Sequence, residues 1–151
     1  MNFEATLQER VEVLAVAADA RRFGTCEGLS LRESEKLALV VAELGMNALR
    51  HGGGRGRVRV NVGASGWRVE VEDEGAGLTD AVLADAGQSD HLGAAGVREP
   101  GDGRRSLGSG LASVRRLSSR LELSNRRGGG ARVIASRELV EVVEFQKGAT
   151  L

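Results

Sequence analysis

The chain has 151 residues, a length that suits one domain built on one core. Lysine plus arginine and aspartate plus glutamate both number 21, so the formal net charge of zero excludes a bulk attraction to nucleic acid or anionic lipid. Cys26 is the only cysteine, which excludes an intrachain disulfide and argues against a thiolate metal site.

No apolar run approaches the roughly 18 residues of a membrane span, and the first residues do not have the pattern of a signal peptide. A cytoplasmic protein with neither membrane nor nucleic-acid partners is the expectation. The short arginine clusters at Arg55–Arg59, Arg104–Arg105, Arg115–Arg120 and Arg126–Arg127 carry no interleaved aromatics. They read as solvated faces or anion contacts.

Taken in order, Met1 to Ala5 has the composition of a short strand. Thr6 and Glu9 have the spacing of a capping box, and Leu7 to Phe23 reads as an amphipathic helix with Val11, Leu14, Ala15 and Ala18 on its apolar side, ended by Gly24. Ser30 and Glu33 repeat the capping spacing and open a long helix from Leu31 to Arg50. Within it Leu37, Val40, Val41, Leu44 and Ala48 fall on one arc at about 100° per residue, the pattern of a helix pressed onto a core.

Arg57–Val62 and Trp67–Glu72 alternate polar and apolar residues around Gly63–Gly66, which predicts a hairpin with one buried face. Asp80–Ala86 reads as a short helix. From Gly87 to Ser106 the chain is polar, glycine-rich and without period, and a stretch of this kind inside a domain is typically a lid or an excursion. Gly108-Ser109-Gly110-Leu111 opens a third long helix, with Leu111, Val114, Leu117 and Leu121 toward a sheet. Leu121–Asn125 and Ala131–Ser136 read as strands around the turn Arg127–Gly130, and Leu139–Phe145 fits a strand or a helix equally. Runs of helices and hairpins without an internal repeat indicate an α+β two-layer sandwich, with helices on one face of a mixed, mostly antiparallel sheet.

Three places in this frame break local propensity or concentrate glycine. Glu43, Asn47 and His51, each four residues after the last, form a polar stripe beside the apolar arc of the long helix, and Gly45 and Asn47 are poor helix formers. A stripe of this kind sits half-buried at the margin of the packed face, where function is to be suspected. Asp73 lies where a strand meets a loop, with Gly75 and Gly77 after it. Its carboxylate suits an exocyclic amine and the glycines suit close approach of a ligand. Gly108 and Gly110 start a helix, where exposed amides and the positive end of the dipole suit phosphate.

The order and spacing of these signals resemble the GHKL ATPase superfamily, which takes in gyrase, histidine kinases and MutL. Glu43-x-x-x-Asn47-Ala48-x-x-His51 is similar to its N box, Asp73-x-Gly75-x-Gly77 to its first glycine box and Gly108-x-Gly110-Leu111 to its second. The short length and the lead-in ending Leu-Ala-Leu-Val-Val-Ala-Glu-Leu most resemble the serine/threonine kinases of bacterial partner switching: anti-sigma-factor and stressosome switch kinases. The resemblance spans about Thr6 to Ser136.

It implies a histidine-kinase-like ATPase fold, one ATP-binding kinase domain over 1–151, and a lid over 87–107. ATP and Mg²⁺ are the implied cofactors. Asn47 would ligate Mg²⁺, Glu43 would act as general base, Asp73 would take the adenine amine between Gly75 and Gly77, and Gly108, Gly110 and Leu111 would meet the phosphates. His51 would be a phosphate neighbour or a helix-end contact. Arg105, or Arg104 beside it, is the candidate for γ-phosphate stabilisation. In one place the chain departs from the pattern: Ala131 follows the glycines of the last hairpin where relatives usually carry Thr.

The function implied is phosphorylation of a STAS-domain antagonist or scaffold protein in stress or sigma-factor regulation, with a sigma factor or a phosphatase as further partners and a homodimer compatible. The alternative is a nucleotide-gated regulator-binding module with little or no transfer. The ATP-binding half of a histidine kinase fits less well, since His51 and His91 are the only histidines.

Overall fold

The structure is a computed structural model that describes residues 1–85 and 107–140, with the backbone alone for residues 85 and 107–109. Alternation writes its sheet. In β2 (Gly56–Gly63) and β3 (Gly66–Asp73), Val58, Val60 and Val62 pair across the hairpin with Val71, Val69 and Trp67, so one face is apolar throughout. β1 (Asn2–Leu7) adds outside β2, and β5 (Ala131–Glu138) followed by β4 (Arg120–Asn125) adds outside β3, giving the order β1-β2-β3-β5-β4. Every pairing among the described residues is antiparallel, in line with the mostly antiparallel sheet the sequence suggested.

The opposite face is charged. Glu70, only 4% exposed, accepts from Arg59 at 3.1 Å and from Arg132 at 3.0 Å, and pairs with Arg68 at 3.2 Å. Its burial alone would raise its pKa, but the Arg132 hydrogen bond and the three guanidinium charges outweigh that and hold the carboxyl below its ordinary value.

The apolar face is covered by α1 (Arg10–Cys26), α2 (Leu31–His51) and α4 (Leu107–Leu117), with the short α3 (Asp80–Asp85) following the loop after β3. α2 keeps its sequence pattern: Leu37, Val40, Val41, Leu44 and Ala48 are all buried. Ser30 Oγ accepts from Glu33 N at 3.2 Å, the predicted N-cap. The Glu33 carboxylate does not close the box; it pairs with Lys36 and with Arg137 of β5. On α4, Leu111 and Val114 are buried and Leu117 packs against the same core.

α1 departs from expectation. Thr6 is a strand residue, paired with Arg57, and the helix starts later, with Glu9 as an N-cap whose side chain makes no cap bond. Glu12 instead accepts from Gln8 N, which precedes the cap, at 3.3 Å. The helix also runs through Gly24 to Cys26, and the glycine that ends it is Gly28, at φ +94°.

The expected apolar side is the exposed one. Val11, Leu14, Ala15 and Ala18 face solvent, while Val13, Val16, Ala17, Ala20 and Gly24 are buried. Both stripes have helical period, and closeness decides between them. A Cβ on Gly24 would stand 3.0 Å from Ser34 Oγ and one on Gly45 would stand 2.9 Å from Val13 Cγ1, so the two helices meet along small residues that larger side chains would hold apart. Gly45, which looked like a functional break in α2, is therefore a packing glycine.

Asp80–Ala86 is helical as far as Asp85. Leu139 packs on the core outside any strand or helix and donates from its backbone to Ser65 O at 2.8 Å, and Val140 is exposed. Residues 86–106 and 141–145 lie outside the described residues.

Candidate functional site

The polar stripe of α2, the end of β3 and the start of α4 converge. Asn47, His51, Asp73, Gly77 and Leu111 line one slot, whose remaining walls are the apolar Leu44, Ala48, Val71, Leu78, Ala131 and Val133. The slot holds about 40 Å³ and its lining is more apolar than polar.

Asp73 is held from three directions. Its Oδ1 accepts from Gly75 N at 3.0 Å and from Ala131 N at 2.9 Å, and its backbone carbonyl accepts from Arg126 Nη1 at 2.6 Å. Among the described residues Oδ2 accepts nothing, which leaves one carboxylate oxygen for a ligand donor. The glycines around it have structural duties beside any ligand. Gly75 lies against Gly52 just past the end of α2, where a Cβ would meet the Gly52 backbone at 2.7 Å. Gly77 (φ +85°) lies against the Asn125 side chain, and Gly130 (φ +93°) passes so close to Asp73 that a Cβ would stand 1.9 Å from its carbonyl oxygen.

The second glycine cluster reaches the α2 stripe directly. Gly108 and Gly110 fall in the first turn of α4, and a Cβ on Gly110 would stand 2.9 Å from Glu43 Oε2 and 3.3 Å from Asn47 Nδ2. Glu43, Asn47 and Gly110 thus form one corner, joined to the apolar slot through Asn47. Asn47 is 9% exposed and its Nδ2 is buried without a hydrogen-bond partner. A buried amide left in this way is costly until a ligand completes it.

His51 sits at the other end of the stripe. Loss of water around its ring lowers its pKa, Arg50 lowers it further and Asp73 opposes both, with a net shift downward. The ring is therefore biased toward its neutral form, which suits a hydrogen-bonding neighbour better than a fixed cation. Leu111, 1% exposed, serves as an apolar wall. Arg104 and Arg105 lie outside the described residues.

Sequence reasoning missed Asn125, Arg126 and the backbone amide of Ala131. Read as a turn, Arg127–Gly130 gave no hint that the residues flanking it reach across to β3. The triple glycine was the available signal, because three successive positive φ angles bring a chain back hard against a neighbour.

The sequence profile of the family described as histidine kinase-, DNA gyrase B-, and HSP90-like ATPase matches residues 32–140. The chain belongs to this family. No curated protein sequence matches it. Among solved structures, a chain of the SiaB-SiaC complex from Pseudomonas aeruginosa is similar at 16% identity and TM-score 0.65, over 89% of this chain and 88% of that one. The catalytic domain of histidine kinase ThkA is similar at 12% identity and TM-score 0.50, over 90% and 97%. Both show the fold.

Membership in this ATPase family implies an ATP-binding domain, and the site can be tested for its usual metal. Among the described residues no cluster of three or more His, Cys, Asp or Glu side chains could hold an ion. Mg²⁺ does not need one, since it is commonly held by one or two protein oxygens together with phosphates and water. The side-chain carbonyl of Asn47, beside the Gly110 backbone, is an oxygen of that kind, while the partnerless Nδ2 is a donor that suits a phosphate oxygen. No helix among the described residues is long and apolar enough to cross a membrane.

Proposed function

We propose that this chain is an ATP-dependent protein serine/threonine kinase that phosphorylates a STAS-type partner in a partner-switching pathway. The observation that carries the reading is the corner formed by Glu43, Asn47 and Gly110: a carboxylate one helical turn from a buried, partnerless amide, both against the first turn of α4.

In this reading Asp73 Oδ2 accepts from the adenine amine, and Leu44, Val71 and Val133 exclude water from the faces of the base. The first-turn amides of α4 receive the phosphates. The Asn47 side-chain oxygen would hold Mg²⁺, which when bound would neutralise phosphate charge. Glu43 takes the proton from the partner's serine or threonine hydroxyl as that oxygen bonds to the γ-phosphorus and the bond to the β–γ bridging oxygen breaks, releasing ADP. His51, neutral, is a hydrogen-bonding neighbour at the slot. Arg105 is the proposed counter-charge to the γ-phosphate. A protein partner is supported by the likeness to a chain solved as part of a two-protein complex.

The test is incubation with Mg-ATP labelled at the γ-phosphate and candidate STAS-domain proteins. Transfer to serine or threonine that is lost in Glu43→Gln while ATP binding persists supports the kinase; absence of transfer with every such partner overturns it. The second reading, a nucleotide-gated binding module, draws on Ala131, which offers no hydroxyl near the base. Partner capture that persists in Asn47→Ala and Asp73→Asn, without transfer, would favour it.

A further inference from the structure

Neither the family's motifs nor the sequence reading assigns a role to Asn125, at the end of β4. Its side chain is exposed, where an amide is readily satisfied by water. Both of its ends are nonetheless spent on one distant residue: Oδ1 accepts from Leu78 N at 2.7 Å, and Nδ2 donates to Leu78 O at 3.0 Å.

The pairing reproduces a rung of an antiparallel ladder with a side chain in place of a strand, and it ties the loop after β3 to the sheet edge. One hydrogen bond would fix only a distance; two parallel ones also fix the twist of the Leu78 peptide units. Gly77 makes the approach feasible, because a Cβ there would stand 2.7 Å from Asn125 Oδ1. The next residue, Arg126, donates to Asp73 O at 2.6 Å and so holds the opposite end of the same loop. Asp73, Gly77 and Leu78 all wall the slot, so where that loop sits sets three of its walls.

We infer that Asn125 is a positioning residue for the nucleotide base, fixing the Leu78 end of the loop while Arg126 fixes the Asp73 end. The inference rests on the reading of the slot as the adenine site. It separates the base from the phosphates, since Asn125 acts on the wall of the slot and not on the corner of Glu43, Asn47 and Gly110.

Calorimetric titrations of Mg-ADP and of Mg-tripolyphosphate, which has no base, into the full chain test it, with Asn125→Ala and the near-isosteric Asn125→Asp as variants. At neutral pH both variants weaken ADP by about tenfold, as the loss of one or two modest hydrogen bonds allows, and leave tripolyphosphate unchanged. On acidification the Asn125→Asp deficit relative to wild type shrinks, because a protonated carboxyl again donates to Leu78 O. Equal ADP affinity in wild type and Asn125→Ala overturns the positioning role alone. Parallel losses of ADP and tripolyphosphate overturn it in favour of a general structural role. Wild-type protein that binds no ADP overturns the adenine-site reading and this inference together. If Asn125→Ala does not fold or tripolyphosphate binds too weakly to measure, the acid rescue of Asn125→Asp decides, and its absence counts against the inference.

Discussion

Replacing Gly110 with alanine separates stability from ligand binding. Within a helix, alanine is favoured over glycine by about 0.5–1 kcal/mol. Against this, the new methyl would stand 2.9 Å from Glu43 Oε2, the far end of a flexible side chain that can retreat by a few tenths of an ångström, and 3.3 Å from Asn47 Nδ2. The two effects leave a net change between about zero and 1 kcal/mol in favour of the variant, or up to about 4 °C in Tm for a chain of this size. The same methyl fills the corner where phosphates and metal are proposed to meet. A loss of at least about tenfold in Mg-ADP affinity, some 1.4 kcal/mol, is expected. Thermal unfolding and calorimetric titration of one preparation measure both quantities. A Tm lowered by more than about 5 °C, or an ADP affinity within about twofold of wild type, would refute the reasoning, since either result means that the corner is packing and not a site.

Gly130→Ala should differ from it in stability. At φ +93°, with a Cβ 1.9 Å from Asp73 O, it is strained and obstructed by backbone, and a stability loss of at least about 1–3 kcal/mol by denaturant titration is expected together with weakened ADP binding. Acid should destabilise the fold in two stages. His51 has a lowered pKa, so the unfolded chain binds the proton more readily and stability falls as pH drops through about 6.5 toward the folded value; His51→Gln removes this stage from a plot of Tm against pH. Burial tends to raise the Glu33 pKa, but hydrogen bonds from Lys36 and Arg137 prevail and lower it. Its contribution, present above about pH 4.3, is lost as pH falls through the folded value, and Glu33→Gln flattens that limb.

Elements with one strong period were legible in the sequence. The β2–β3 hairpin and α2 follow their valine and leucine patterns because each has a single face that can be buried. α1 was misread for a physical reason: it carries two stripes of the same period, and Val11 and Leu14 lost to Val13, Val16, Ala17, Ala20 and Gly24, whose small members permit a closer helix contact. The candidate site was legible where chemistry is attached to rare residue types in order, as at Glu43, Asn47, Asp73 and Gly110. Asn125, Arg126 and the Ala131 amide were not. Their partners lie 47 to 58 residues away in the chain, and each contact has a backbone atom on one side, so no pair of residue types marks it.

α2 has two obligations that cannot be adjusted separately. Gly45 faces the seam with α1, while Glu43 and Asn47, two residues to either side, face the first turn of α4. A wider seam that rolled this rod about its long axis would swing its polar edge away from the corner it completes. A larger residue at Gly24 or Gly45 would therefore also disturb the corner on the far side of the same helix, and the damage would show at a place whose own residues are all intact.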